Sequence, residues 1–379
     1  MKTLSLAPLV ALGLFALACG APASDENLET ESQQELIAGR AGAVFTLSND
    51  PSDNQVIAYR RAADGSLQHA ATYSTTGKGS GDGLGSQGAL TLSGDRRYLF
   101  AVSAGSNELA VFRVSGANLT LVDAIATGGV RPVSVTEHEG LVYVLHAGDG
   151  ANDVRGFVQR SDGTLGALAG STHALSAATT GPAQVSFSPS GRAIVITEKA
   201  TNKVDELRLN PYTGRPASFT AHDSSGQTPF GFAINGRGQV IVSEAFGGAA
   251  GASKVSSYQL GGISGLTVKS ASIPDTEGAA CWVVLGGDRA FVSNTASGSI
   301  STYSVAYDGT LALTAARAAD TGTGSKPTDM ALTRDGRYLY VLESGTHTLG
   351  ITRVGSGGSL TVQPDAAGLP MAAAGLAAL

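Results

Sequence analysis

The chain repeats one short unit. A D-G-x-L turn occurs at Asp64 to Leu67, Asp162 to Leu165 and Asp308 to Leu311. Looser copies end at Leu119, Leu266 and Leu360, and a related turn spans Thr213 to Pro216. These leucines recur about every 49 residues, one step being double. Before each turn stand two apolar runs joined by a glycine turn, as in VSFSPSGRAIVITE (185–198), FAINGRGQVIVSE (232–244), WVVLGGDRAFVSN (282–294) and MALTRDGRYLYVLE (330–343). Each unit therefore reads strand A, glycine turn, strand B, loop, strand C, D-G turn, strand D, with Asp-Gly read as a two-residue hairpin turn at positive φ. Four antiparallel strands at this period are one blade of a propeller.

Seven such units fill residues 40–379. The first lacks strand A and opens at AVFTLSN (43–49), while the tail LPMAAAGLAAL (369–379) has the strand-A pattern of KPTDMALT (326–333). The expected fold is all-β: a seven-bladed β-propeller of four-stranded antiparallel blades, closed by the C-terminal strand completing the first blade. Closure removes the open edge between first and last blades. Fifty-one glycines serve tight turns, and 42% hydrophobic against 15% charged residues suits a packed chain. Kelch glycine pairs and Trp-Asp blade ends are absent from the sequence.

Residues 1–19 read as a lipoprotein signal peptide. Leu4 to Ala18 is apolar but short for a bilayer span, and small residues precede Cys19, the expected lipidation site. Leu17 stands two places before that cysteine, where the usual pattern has leucine three places before; the alternative is a signal peptide cut near Ala18 or Ala23. Residues 20–39, with Asp25, Glu26, Glu29, Glu31 and Glu35, read as an acidic flexible tether. The expected location is the bacterial cell envelope, lipid-anchored on the periplasmic face or cell surface, with membrane contact through the N-terminal lipid only. Net charge is −6 and basic residues are scattered, which excludes a nucleic-acid footprint.

No cofactor is expected, and no metal: the six histidines lack ligand spacing, and the Asp/Asn-rich stretches 49–54 and 149–153 read as surface turns. Cys281 beside Trp282 reads as a buried small hydrophobe. Gly77 to Gly83 lacks phosphate-loop spacing and reads as a flexible connector between the first two blades.

The segments GPAQVSFSPSGRAIVITEKATNKVDELRLNPYTG (181–214) and KPTDMALTRDGRYLYVLESGTHTLGITRV (326–354) resemble the seven-bladed lactonase family, which includes propeller-type 6-phosphogluconolactonases and carboxymuconate-lactonising enzymes. AFVSNTASGSISTYSV (290–305) also resembles YVTN-type repeats. The lactonising members use a His, an Arg and a Glu. Their places correspond here to Ala183, Phe230 and Glu244, so only the Glu is kept.

Strand B ends at equivalent positions in the seven units: Asn49, Ser103, His146, Glu198, Glu244, Asn294 and Glu343. Polar residues ending apolar strands suggest a ring at one face of the channel. The expected catalytic residues are Glu244, helped by Glu198 or His146, as acid/base. The expected substrate contacts are Arg131 and Lys326, cations heading strand A, with Gln184, Asn294 and Glu343. Two functions follow. One is a 6-phosphogluconolactonase-like lactone hydrolase with a degenerate catalytic set, taking a small lactone or sugar. The other is a non-catalytic envelope propeller binding a protein or glycan.

Overall fold

The computed structural model describes residues 42–261 and 265–379. The expected signal peptide, tether and lipidation site at Cys19 lie outside these residues. Seven antiparallel sheets form the ring. Blade 1 is Ala374–Ala378, Gly42–Leu47, Gln55–Arg61 and Leu67–Ser74, from strand A at the channel to strand D outside. Blade 2 is Leu90–Leu92, Tyr98–Ser103, Glu108–Ser115 and Asn118–Ala126; blade 3 is Pro132–His138, Leu141–Gly148, Ala151–Gln159 and Leu165–Ala167, with His173–Ala174 added beside strand C. Blade 4 is Pro182–Phe187, Ala193–Glu198, Lys203–Leu209 and Pro216–Asp223. Blade 5 is Pro229–Ile234, Gln239–Glu244, Lys254–Leu260 and Leu266–Pro274. Blade 6 is Ala280–Gly286, Arg289–Asn294, Ser299–Val305 and Leu311–Asp320, and blade 7 is Pro327–Leu332, Tyr338–Glu343, Thr348–Val354 and Leu360–Ala367. The A–B and C–D turns share one face, the turn face. The B–C loops and blade-to-blade connections share the other, the loop face.

The C-terminal strand closes the ring as the repeat count requires. Val44 pairs with Ala378, Phe45 with Ala377 and Thr46 with Leu376, before a bulge at Gly375. Thr46 Oγ1 donates to the Gly375 carbonyl at 2.8 Å, and Gly375 N–H donates to Asp329 Oδ2 of blade 7 at 2.9 Å. Gly375 has φ +71°, and a Cβ there would stand 2.9 Å from the Leu90 backbone nitrogen. Only glycine meets both conditions.

The D-G turns differ from the two-residue hairpin that the dipeptide suggests. Gly65 N–H bonds to the Ala62 carbonyl and Ala62 N–H to the Ser66 carbonyl, so Ala63, Asp64 and Gly65 form a three-residue loop. Only Gly65 has positive φ, and Asp64 Oδ1 accepts from Ser66 N–H at 2.9 Å. This is a type I turn closed by a glycine bulge. The glycine also receives the neighbouring blade: the Tyr338 ring packs against Gly65, and Tyr340 Oη donates to its carbonyl at 2.7 Å. Tyr98 meets Gly163 in the same way. Each fully buried large apolar side chain, such as Phe45, Phe100 or Phe232, adds about 1.5–3 kcal/mol by leaving water.

Gly375→Ala should destabilise the ring by about 1–3 kcal/mol, through both strain and overlap with blade 2. A thermal melt reads this directly, and an unchanged melting temperature would mean the closing bulge is not under the constraint described.

Candidate active site at the channel mouth

Blade 2 gives up half of its inner strand. Where other blades run a full strand A, only Leu90–Leu92 is paired, and residues 83–88 turn into the channel. Ser86 Oγ donates to the Val133 carbonyl at 2.8 Å, and Gln87 N–H to the Ala183 carbonyl at 2.9 Å. The Gln87 amide bridges to blade 6 across the ring: Nε2 donates to the Val283 carbonyl at 2.7 Å and Oε1 accepts from Val283 N–H at 3.1 Å. Gly231 has no side chain to block it. A backbone plug thus closes the centre of the channel. Gly77 to Gly83, read from sequence as a flexible connector, is pinned on its way to this plug. Gly79 N–H bonds to Asp50 O, Gly81 N–H to Asn49 O, and Gly79 packs on the Asn49 backbone.

Above the plug, on the loop face, lies a cavity of about 360 Å³ lined by Ser86, Trp282, Lys326, Thr328, Asp329 and Ser344. Asp329 sits at its floor, 4% exposed. Burial pushes its carboxyl up to about 7, against hydrogen bonds from the Gly375 and Gly88 N–H groups and Trp282 that favour the anion. Trp282 and Phe230 stack with centroids 4.8 Å apart, and Lys199 Nζ lies 4.6 Å from the Phe230 centroid. Lys199 Nζ also donates to the Gly85 carbonyl of the plug. Burial pushes its ammonium down to about 8, with Arg131 acting in the same direction. While charged, Lys199 costs the fold stability, a cost that is full below about 8 and falls away as pH rises from there toward the unfolded value of 10.5.

The ring of strand-B ends is buried at all seven positions, but its members are held inside their own blades and connecting loops. Glu198 accepts from Ser176 N–H at 2.9 Å and from the hydroxyls of Ser176 and Thr201. Asp205 beside it is raised well above the carboxylate range, by burial and then by the neighbouring Glu198. Glu244 accepts from Ser256 Oγ and from Ser272 Oγ at 2.6 Å, and burial raises its carboxyl despite them. Glu343 accepts from Thr348 Oγ1 at 2.9 Å and is pushed up to about 7, by burial and then Asp365. His146 Nδ1 lies 2.8 Å from Asp153 Oδ1, and Asn294 Nδ2 donates to Ser301 Oγ at 2.7 Å.

None of the seven ring side chains lines the cavity over the plug. Gln184 is also committed, accepting from Phe232 N–H at 2.7 Å and lining the opposite channel mouth. Of the residues expected from sequence, Lys326 lines the cavity, while Arg131 is exposed and close enough to Lys199 to shift it. Arg131 and Lys326 share an unusual backbone, φ +56° and +49°, each before the proline that opens strand A. Sequence reasoning missed Asp329, Lys199 and the plug. The available signal was the second unit itself: GLGSQGALTL (83–92) lacks the proline-headed strand A of units 3, 4, 5 and 7. Cys281 is buried, as expected, and burial pushes its thiol up to about 11, which suits a packing role.

Glu343 supplies a pH test of the structural role. Its raised carboxyl favours the protonated fold, so its contribution is intact below the unfolded value near 4.5 and is lost as pH rises through about 7. Glu343→Gln should therefore raise stability at pH 8 by on the order of 2 kcal/mol, with the gain shrinking toward pH 5. Denaturant unfolding at both pH values measures it, and a loss of stability at pH 8 would contradict the assignment.

Solved structures similar to this ring are propellers of low sequence identity. A candidate 6-phosphogluconolactonase from Bacteroides uniformis shares 19% identity and a TM-score of 0.70, over 88% of this chain and 98% of that one. The Pseudomonas aeruginosa periplasmic gluconolactonase shares 17% identity and a TM-score of 0.69, over 89% and 99%. A candidate 6-phosphogluconolactonase from Bacteroides fragilis shares 16% identity and a TM-score of 0.68, over 89% and 98%. No curated protein matches the chain by sequence. Residues 52–176 match the family model described as Lactonase, 7-bladed beta-propeller, and the complete ring has the fold that description names.

Proposed function

We propose that the protein hydrolyses a small sugar lactone in the loop-face cavity, with Asp329 as general base and Lys199 and Lys326 as the stabilising cations. The observation that carries this is Asp329: a buried carboxyl, pushed up to about 7, lining a sugar-sized cavity with Trp282 and Lys326, while Lys199 reaches the Gly85 carbonyl of its wall. The carboxylate takes a proton from water, and the hydroxide adds to the lactone carbonyl. The ammonium groups stabilise the oxyanion. The ring C–O bond then breaks, and the ring oxygen takes the proton back from Asp329, leaving a carboxylic acid and a hydroxyl. Phe230 occupies the place that the family resemblance gives to an Arg, and the Lys199 ammonium over its ring restores a positive charge there.

The rate should be bell-shaped in pH, rising as Asp329 ionises through about 7 and falling as Lys199 loses its proton above about 8. Asp329→Asn and Lys199→Met should each lower kcat by about a hundredfold or more with the fold retained. Glu244→Gln and Glu198→Gln should leave it within a few-fold. Lys326→Met should raise KM more for 6-phosphogluconolactone than for gluconolactone. Titration of released acid measures all of these, and full activity in Asp329→Asn would remove the mechanism. The second reading, a non-catalytic binder of an envelope protein or glycan, is favoured by the commitment of Glu198, Glu244 and Glu343 to internal hydrogen bonds. Ligand binding with no acid release at any pH would select it.

The proposal places this activity outside the cytoplasm, at a membrane held through a lipid on Cys19. Its support is the short apolar segment before that cysteine and the acidic stretch after it. Cys19→Ala should move the protein from the membrane to the soluble fraction and abolish palmitate labelling. Unchanged membrane association would refute the anchor.

A further inference from the structure

We infer that the turn face carries a second ligand site, a pocket for the phosphate dianion of a phosphorylated sugar, held by Arg96 and Arg334. The pocket has a volume of about 550 Å³ and lies between the A–B turns of blades 6 and 7, with Arg96 reaching in from blade 2 and Arg289 at its side. It lies on the opposite face from the lactone cavity and does not depend on that assignment.

Arg96 occupies a position the repeat reserves for glycine. Its N–H closes the A–B turn onto the Ser93 carbonyl, just as Gly191, Gly238 and Gly336 close the turns of blades 4, 5 and 7. Those glycines have φ of +66°, +74° and +69°, and Arg96 adopts +60°. A long charged side chain is thus held in a backbone state that three sister turns give to glycine, at a cost of about 1 kcal/mol or more. Strain of this kind persists where it places a side chain for use.

The side chain it places lacks a counter-charge. Arg96 donates only to the Ala378 carbonyl, at 3.4 Å, and the Arg334 guanidinium is near enough to depress it further. Among the described residues neither guanidinium has a carboxylate within ion-pair distance. The nearby acids are engaged: Asp288 pairs with Arg289 at 3.1 Å, and Asp335 accepts from Thr333 Oγ1 at 2.6 Å and Arg337 N–H at 3.1 Å. Two like charges facing one cavity are relieved by a dianion that takes hydrogen bonds from both: phosphate offers two charges and three oxygens, a carboxylate one charge and a neutral sugar none. The glycine walls at Gly287, Gly336 and Gly358 leave room for the attached sugar.

The test is calorimetric titration of the purified protein with glucose 6-phosphate, with glucose as control, and sedimentation with phosphatidate vesicles to separate a soluble sugar phosphate from a lipid phosphate. Glucose 6-phosphate should bind and glucose should not. Arg334→Gln and Arg96→Gly should each weaken binding by at least about tenfold. Arg96→Gly should melt no lower than the parent protein, since it restores the residue of the sister turns, and Lys326→Met should bind unchanged. Binding to phosphatidate vesicles alone, lost in the same two variants, keeps the site and assigns its phosphate to lipid. Equal affinity in Arg96→Gly and the parent, equal binding of glucose, or no binding of either phosphate source would overturn the proposal.

Discussion

Closure of the ring by residues 374–378 is the constraint on which the rest depends. A propeller blade exposes two faces and two edges, and none is stable alone. Here the last strand of the chain pairs with the first, joining residues more than three hundred positions apart. That pairing is entropically remote, so the geometry at the join must be well determined. It is: a glycine bulge lets the closing strand approach Leu90, while its N–H is held by Asp329 of blade 7. One carboxylate thereby ties blades 7 and 1 together beside the plug from blade 2. The same burial that makes Asp329 a good tie raises its proton affinity and makes it chemically useful. Structural closure and the proposed catalysis draw on one desolvated group.

The plug decides where chemistry can happen. An open propeller channel would let groups from all seven blades converge. Ser86 and Gln87 instead saturate the carbonyls and amides of blades 3, 4 and 6, and divide the channel into a cavity on each side. The buried polar ring at the strand-B ends is left with no shared cavity to face. Its members instead find partners in their own blade, the neighbouring blade or the connecting loops. Glu198 is held by Ser176 and Thr201, His146 meets Asp153, and Glu343 is held by threonine hydroxyls. These groups fix the B–C loops on which the cavity rim stands.

What could be read from the sequence follows from locality. The turn spacing sets four strands per unit, and the missing first strand with its spare tail sets the closure, because both are patterns of adjacent residues. The seven strand-B ends were likewise found, since each ends an apolar run. Their role was not legible, because whether Glu244 faces the channel or Ser256 and Ser272 depends on side-chain direction across strands. The D-G dipeptide predicts a turn but not its type, and the Tyr338 ring packed against Gly65 comes from another blade. Asp329 and Lys199 acquire their character from the plug, whose contacts span up to about two hundred residues. No local pattern carries that information. Arg96 is the exception: SGDRRY (93–98) against TRDGRY (333–338) shows an arginine where the repeat wants glycine, legible once the turns are aligned.

Charge is sorted between the two faces, and the turns explain why. Arg96, Arg192, Arg237 and Arg334 sit in A–B turns, and Arg160 and Arg215 flank C–D turns, so guanidinium groups collect on the turn face. The aspartates there are mostly spent on capping: Asp64, Asp162 and Asp308 each hold the N–H and hydroxyl two residues on. Their charge is thus drawn down into the turn, where hydrogen bonds lower their proton affinity, while the arginines extend outward. The loop face holds the buried carboxyls instead, with lysines at its channel mouth. An anion approaching the turn face meets delocalised forks suited to phosphate; on the other face it meets single ammonium groups beside titrating acids. With the channel plugged between them, the two proposed sites are separate, and a ligand would pass from one to the other only through solvent.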